Sequence, residues 1–440
     1  MEGGFSLDAG IEAPGGQLIT ALSCRRAALI TALVLLALSS GVQLRSMKTS
    51  HMPVISDFEA QVVSTRDALK GVDPYSVQCT RDIQTTLFGH PFSPTSKRDP
   101  EHFDYPAQIV PLVAPVAFVP WKFTEIALFL VLIPGLFSTF YWWTRTLLPG
   151  TNSPTILLIA AIALFSWPSV WALRVQQPTI FVAVLITLGW FLLRSGKDWA
   201  SGIAFGLAII KPQIGLPITL WLLAWSVRHR RWAFPISFAA TFTALTLLSD
   251  RLVPGWIGPW IKNLHSYSRM SRPIWIYIFG PREGWAIVAA LSIWSVFVLA
   301  RMLDAPADSR RFSVAVSLAL ASTIAVIPVY SAQIYNNIFL FPALLLLLSS
   351  CGTGPVARIF RVAAFATSSL MIVAPVLGAP FALAFPSVRI PALLLFACMP
   401  MIVFVFPAAM LGNKLSFETH NHATPSSGCI GATRPRSGGR

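Results

Sequence analysis

Residues 199–226 read WASGIAFGLAIIKPQIGLPITLWLLAWS. Roughly 20 apolar residues cross about 30 Å of hydrocarbon, so the stretch is long enough to span a bilayer once. Basic loops bound it at both ends, with Arg194 and Lys197 before it and Arg228, Arg230 and Arg231 after it. Short loops rich in Lys and Arg stay cytoplasmic, so a single crossing would strand one of the two outside. Lys211-Pro212 in the middle resolves the conflict. Proline breaks a helix and a lysine in lipid is costly, so the pattern predicts two half-helices, 199–210 and 213–226, with Lys211 at the outward tip. Non-helical backbone at that depth is tolerated only against protein or a wet cavity.

The rest of the chain fits this start. Of 440 residues, 55% are hydrophobic and 12% charged, with a mean hydropathy of +0.65. Soluble domains carry about 25% charged residues, which excludes a water-soluble globular enzyme. Further apolar stretches lie near 27–44, 122–144, 154–174, 178–194, 232–249, 284–302, 312–329, 334–350, 362–379 and 390–412. The first reads as a span and not a cleaved signal, because a polar, glycine-rich stretch precedes it and no small-x-small site follows. Lys and Arg number 33 against 18 Asp and Glu, a formal charge of +15. Their concentration in short loops (Arg25-Arg26, Arg145, Arg194/Lys197, Arg228/Arg230/Arg231, Arg301/Arg310/Arg311, Arg358/Arg361) is a topology signal and not a nucleic-acid surface. The expectation is an all-α polytopic membrane protein with about ten full crossings plus the hairpin and both termini cytoplasmic. Residues 1–22 and 413–440 read as disordered tails around an integral membrane domain, 23–412, with outer loops at 45–121 and 250–283. Cys24, Cys79, Cys351, Cys398 and Cys429 are scattered, without metal-ligand or disulfide-framework spacing.

The loop 45–121 collects eight acidic residues, Asp57 and Glu59 among them. Ser56-Asp57-Phe58-Glu59 matches a capping box, and Phe58, Val62, Thr65 and Leu69 follow at helical spacing before Gly71. This predicts a short amphipathic helix lying on the membrane surface. Asp57 falls in its first turn, where the helix dipole favours the ionised carboxylate. Such a group can take a proton from an attacking alcohol, or it can be merely a helix-start acid. Gly71-Val72-Asp73-Pro74-Tyr75 forms a turn with an aromatic tip. Phe103-Asp104-Tyr105-Pro106 leads into a stretch punctuated by Pro111, Pro115 and Pro120, read as a re-entrant or tilted segment capping a cavity. Lys211 needs an anionic partner; a phosphate, a carboxylate such as Asp57, or snorkelling to the interface would each serve.

The loop 250–283 adds Arg251, Lys262, His265, Arg269, Arg272 and Arg282, interleaved with Trp256, Trp260, Tyr267, Trp275 and Tyr277. Guanidinium groups match phosphate and aromatic faces match sugar rings, with Arg269 and Arg272 the candidates for phosphate; an interfacial aromatic belt is the alternative. Arg174 and Gln176-Gln177 stand at an outer span end as either site or turn residues. His51, His90, His102 and His265 have no ligand spacing, and no metal is expected.

Taken in order, these motifs resemble glycosyltransferase family 87, the membrane-embedded, polyprenyl-phosphate-sugar-dependent transferases of GT-C type fold. The residues that carry the resemblance are Asp57-Phe58, Gly71-x-Asp73-Pro74-Tyr75, Phe103-x-Tyr105-Pro106, Gln177-Pro178, Gly202 and Gly206 ahead of Lys211-Pro212, and Arg230-Arg231-Trp232. They extend over roughly 27–350. The chain departs from the family pattern at Gln61 and Val62, where aromatic residues are common, at Ala107, where a second proline follows the tyrosine, and at Tyr335-Asn336, where Tyr-Asp or a His pair is usual. The resemblance implies that Asp57 is the catalytic base and that Lys211 lies beside the donor. Asp73, Tyr75, Tyr105, Gln177, Tyr335 and Asn336 would line the cavity. It further implies an inverting transferase at the extracytoplasmic face of the cell membrane. The transferred group is a hexose or pentose, mannose first and arabinofuranose second, moved from a polyprenyl-phosphate donor to a lipid or glycan hydroxyl. Its partners are donor, acceptor and membrane lipids, with no nucleic acid and no cofactor. A transporter or lipid-linked-sugar flippase, with Lys211 in a midplane site, is the alternative, and a non-catalytic scaffold is a third. The long acidic loop and the absence of an internal repeat favour the transferase.

Overall fold

The computed structural model of the protein describes residues 56–93, 101–270, 273–326 and 331–349. Among them the chain is helical, with no strand. The elements are α1 (Asp57–Leu69) and α2 (Val77–Phe88), then a winding stretch containing α3 (Val110–Val113) between two 3-10 turns. There follow α4 (Trp121–Leu147), α5 (Ser153–Leu164), α6 (Trp167–Arg174), α7 (Thr179–Arg194), α8 (Asp198–Ala208) and α9 (Pro212–Arg228). The remainder comprises α10 (Ala233–Leu252), α11 (Ile257–Met270), α12 (Ile274–Phe279), α13 (Pro281–Ala300), α14 (Arg310–Val326), a 3-10 stretch Ser331–Leu340 and α15 (Phe341–Ser349).

Three of these helices, α4, α10 and α13, are long and apolar enough to cross a membrane, and the bent pair α5–α6 makes a fourth if taken as one span. The expected crossing at 154–174 is therefore a broken one, bent by 59°. Ser166 and Pro168 account for the corner: Ser166 takes an extended backbone as the N-cap of α6, and Pro168 sits in that helix's first turn. The stretch 334–350 also departs from a straight span, being 3-10 helix to Leu340 and only a short α-helix beyond. The expected spans 27–44, 362–379 and 390–412, and the two tails, lie outside the described residues.

The break at Lys211 is present. α8 ends at Ala208, Lys211 takes φ −123° and ψ 79°, and α9 begins at Pro212. The two arms do not pack along each other as a tight hairpin. Instead α8 lies between α7 and α10. Ser201 donates to the Gly189 carbonyl of α7 at 2.7 Å. On the other flank a Cβ at Gly202 would collide with Ser237 and the Phe234 carbonyl, and one at Gly206 would stand 2.7 Å from Thr241 Cβ. Contacts that advance together along both helices mean that α8 and α10 run parallel, so α9, which joins them in the chain, runs in the opposite direction. Small residues allow this close approach.

The return brings the basic loops to one end. Arg231 pairs with Asp198, Arg228 with Asp304 at 2.7 Å, and Arg194 donates to Ser313 at 2.9 Å. Thr179 and Lys211 start α7 and α9, so they stand at the opposite end. The 16 residues of α7 put about 24 Å between the two levels. Between them the core is aromatic: Trp143 and Trp190 stack at 3.8 Å, and Trp143 donates to Thr187 at 2.9 Å.

Ser56 caps α1 as the sequence predicts, accepting from Glu59 N at 3.1 Å. The helix is not laid on a surface, however. Ala60 and Val63 pack on Cys79 and Ile83 of α2, while Arg66 donates to the Ala117 carbonyl at 2.9 Å. Buried on both flanks, α1 is a wedge between α2 and the proline-rich winding stretch. The loop 250–283 is likewise mostly helical, and its tryptophans turn inward: Trp256 and Trp275 are buried, and Trp260 donates to the Asp104 carbonyl at 3.1 Å.

Candidate functional site

At the end opposite the basic loops, side chains from three other segments reach Gln177, and a fourth joins them through Lys211 and Thr179. The corner after α6 delivers Gln177. Gln176 adopts a left-handed backbone with φ +49°, Gln177 N donates back to the Ala172 carbonyl at 2.9 Å, and Pro178 then opens α7. The first amide of α1, that of Asp57, donates to the Val175 carbonyl at 2.9 Å. That bond brings the N-terminus of α1, where backbone N–H groups favour an anion, against this corner.

Gln177 is only 1% exposed. Its Nε2 donates to Asp57 Oδ2. Its Oε1 accepts from Tyr105 OH at 2.7 Å and from Lys211 Nζ at 3.3 Å. One carboxamide thus reaches the carboxylate of Asp57 and the ammonium of Lys211, which come from distant parts of the chain. Lys211 also donates to Thr179, and Thr179 donates to Asn336 Oδ1 at 3.2 Å. The ammonium lies 4.7 Å from the centre of the Tyr335 ring, a cation–π contact. Lys211 is 3% exposed, so its charge is held by these groups and not by snorkelling to water.

Six of the residues singled out in the sequence therefore meet: Asp57, Tyr105, Gln177, Lys211, Tyr335 and Asn336. Tyr75 stands one step back. Its hydroxyl donates to the Tyr105 carbonyl at 2.9 Å, so it positions Tyr105, and burial pushes its phenol pKa upward. Asp73 is spent on its own turn, accepting from Tyr75 N at 2.9 Å. On α1, burial raises the Glu59 carboxyl above the usual range, with Glu125 adding to the effect and Arg66 opposing it. Arg269 belongs to α11, and Arg272 lies outside the described residues. Thr179, which joins Lys211 to Asn336, was not singled out in the sequence. Its place directly after Gln177-Pro178 was the available signal. No group of three His, Cys, Asp or Glu suited to a metal occurs among the described residues.

The profile of glycosyltransferase family 87 matches residues 103–277. Over that stretch, about two fifths of the chain, the sequence is similar to glycosyltransferase family 87. The matched segment carries Tyr105, Gln177 and Lys211, whereas Asp57, Tyr335 and Asn336 lie beyond its two ends and reach the site only through the fold. No curated protein and no solved structure matches the chain. Family and apolar helices together support a membrane glycosyltransferase, acting on a sugar donor and an acceptor.

Proposed function

We propose that the protein is an inverting transferase that moves a glycosyl group from a polyprenyl-phosphate donor to a lipid or glycan hydroxyl at the extracytoplasmic face. The observation that carries this reading is the single Gln177 carboxamide shared by Asp57 and Lys211. A phosphodiester is already a competent leaving group, so the chemistry needs a base for the acceptor hydroxyl and a cation for the departing phosphate.

In this reading Asp57 takes the hydroxyl proton as the acceptor oxygen bonds to the anomeric carbon. The carbon–oxygen bond to phosphate breaks on the opposite face, its electron pair leaving with the phosphate beside Lys211. Base and leaving group on opposite faces invert the anomeric centre, and a carboxylate suits the oxocarbenium-like transition state of glycosyl transfer. Gln177 holds the carboxylate ready: its N–H end stabilises the ionised form, while Tyr105 and Lys211 fix the oxygen end. Mannose is the first candidate sugar and arabinofuranose the second.

Membranes supplied with labelled polyprenyl-phosphate mannose and arabinofuranose test the reading directly. Transfer of one label is expected, and Asp57→Asn should slow it about 100- to 10,000-fold, the range for a lost general base. A transporter built around the broken helix at Lys211 would keep its flux in Asp57→Asn and transfer no label.

A further inference from the structure

Two buried glutamines on the segments that meet at Asp57 carry side-chain polar atoms without a hydrogen-bond partner among the described residues. Gln176 is 1% exposed and held at φ +49°, a region costly for a residue with a Cβ. Neither its Nε2 nor its Oε1 has a hydrogen-bond partner among the described residues. Gln61, 4% exposed, leaves its Oε1 without a partner in the same way. It follows Asp57 by four residues on α1, so both lie on one flank of that helix. Gln176 adjoins Val175, whose carbonyl receives the Asp57 amide, and precedes Gln177. The two amides therefore belong to the two segments that meet at the first turn of α1.

A buried amide without a partner loses its hydration and gains nothing, and a methionine of similar length would fit such a place at no such penalty. Backbone strain at Gln176, with unpartnered amide atoms on both segments that meet at Asp57, marks a site shaped for something other than stability. A carboxamide carries two donors and an acceptor but no charge. That suits hydroxyl groups, each of which both donates and accepts, better than it suits a phosphate.

We infer that Gln61 and Gln176 bind ring hydroxyls of the transferred sugar, and so select which glycosyl group is accepted. This rests on the glycosyl-transfer reading of the site. It assigns to Gln61, where family members commonly carry an aromatic residue, a polar grip in place of a stacking face.

The test uses the full chain in detergent and three probes: farnesyl phosphate, farnesyl phosphoryl-mannose and farnesyl phosphoryl-arabinofuranose. The intact protein should bind one of the sugar-bearing probes about tenfold or more tighter than farnesyl phosphate. Gln176→Met and Gln61→Met should each erase most of that preference, leave the Kd for farnesyl phosphate within about twofold, and not lower the thermal midpoint. Variants that keep the preference overturn the inference, as does an intact protein with no preference for either sugar. If none of the three probes binds, the donor site itself is wrong and the inference falls with it. The two substitutions lie on different elements, so one that fails to fold leaves the other to decide.

Discussion

Lys211 is the residue on which the two physical readings of the site part. An ammonium this deeply buried is costly without partners, and it has found Gln177, Thr179 and the Tyr335 face. If it awaits a phosphate, charge matters more than shape. Lys211→Ala should then weaken farnesyl phosphate binding more than Lys211→Arg does; equal losses in a direct binding assay would make it a structural lysine. Asp67 offers a test of the α1–α2 contact. Burial pushes its carboxyl above the usual range and Asp82 adds to this, against the Cys79 thiol, Lys70 and Arg66. The folded protein then holds this proton more tightly than the unfolded chain, where the group titrates near about 4. Stability from this group consequently falls as pH rises from about 4 through the raised value. Asp67→Asn should raise stability at neutral pH by on the order of 1 kcal/mol and flatten the acid limb of the midpoint–pH curve. An unchanged limb would show that the ionised form is already satisfied. At this scale the sequence disclosed the charged members, because an acid at a helix start and a lysine in an apolar run stand out. Gln177 stood out only as an outer-end residue and through the family pattern, not as the hub, and Thr179 was missed, since neutral polar residues barely register against hydropathy.

Elements were legible where one residue type forces the outcome. Lys211-Pro212 announced its break because proline lacks the N–H and the lysine cannot face lipid. The corner at Ser166 and the 3-10 course of 331–340 did not show, since a window long enough to find a span averages over both. The burial of α1 was hidden for a related reason: Ala60 and Val63, which meet α2, are too small or too few to extend the apolar stripe read from Phe58, Val62 and Leu69. The parallel contact of α8 with α10 carries its own prediction. Gly202→Ala has no room beside Ser237 and the Phe234 carbonyl, and overpacking of this kind costs about 1–3 kcal/mol. A lower thermal midpoint in detergent is expected, and one matching the intact protein would mean that the helices separate freely.

For the whole molecule the informative quantity is the segregation of charge. Arg194, Arg228 and Arg231 are tied at one end, and Asp57 with Lys211 at the other. The arginine-rich end should face the cytoplasm. Gln78→Cys, exposed on α2, should react with an impermeant maleimide on intact cells, while Arg230→Cys should react only after lysis; the reverse pattern would turn the molecule over and move the chemistry inside. The mounting of α8 bears on how such an enzyme could be tuned. The lysine follows the end of a short lever, α8, whose own Gly202 and Gly206 seat it against α10 well away from the groups that hold the ammonium. A small enlargement at either glycine would arrive at the ammonium as a displacement. Turnover could thereby be graded from a distance, with every group that meets the sugar left unaltered.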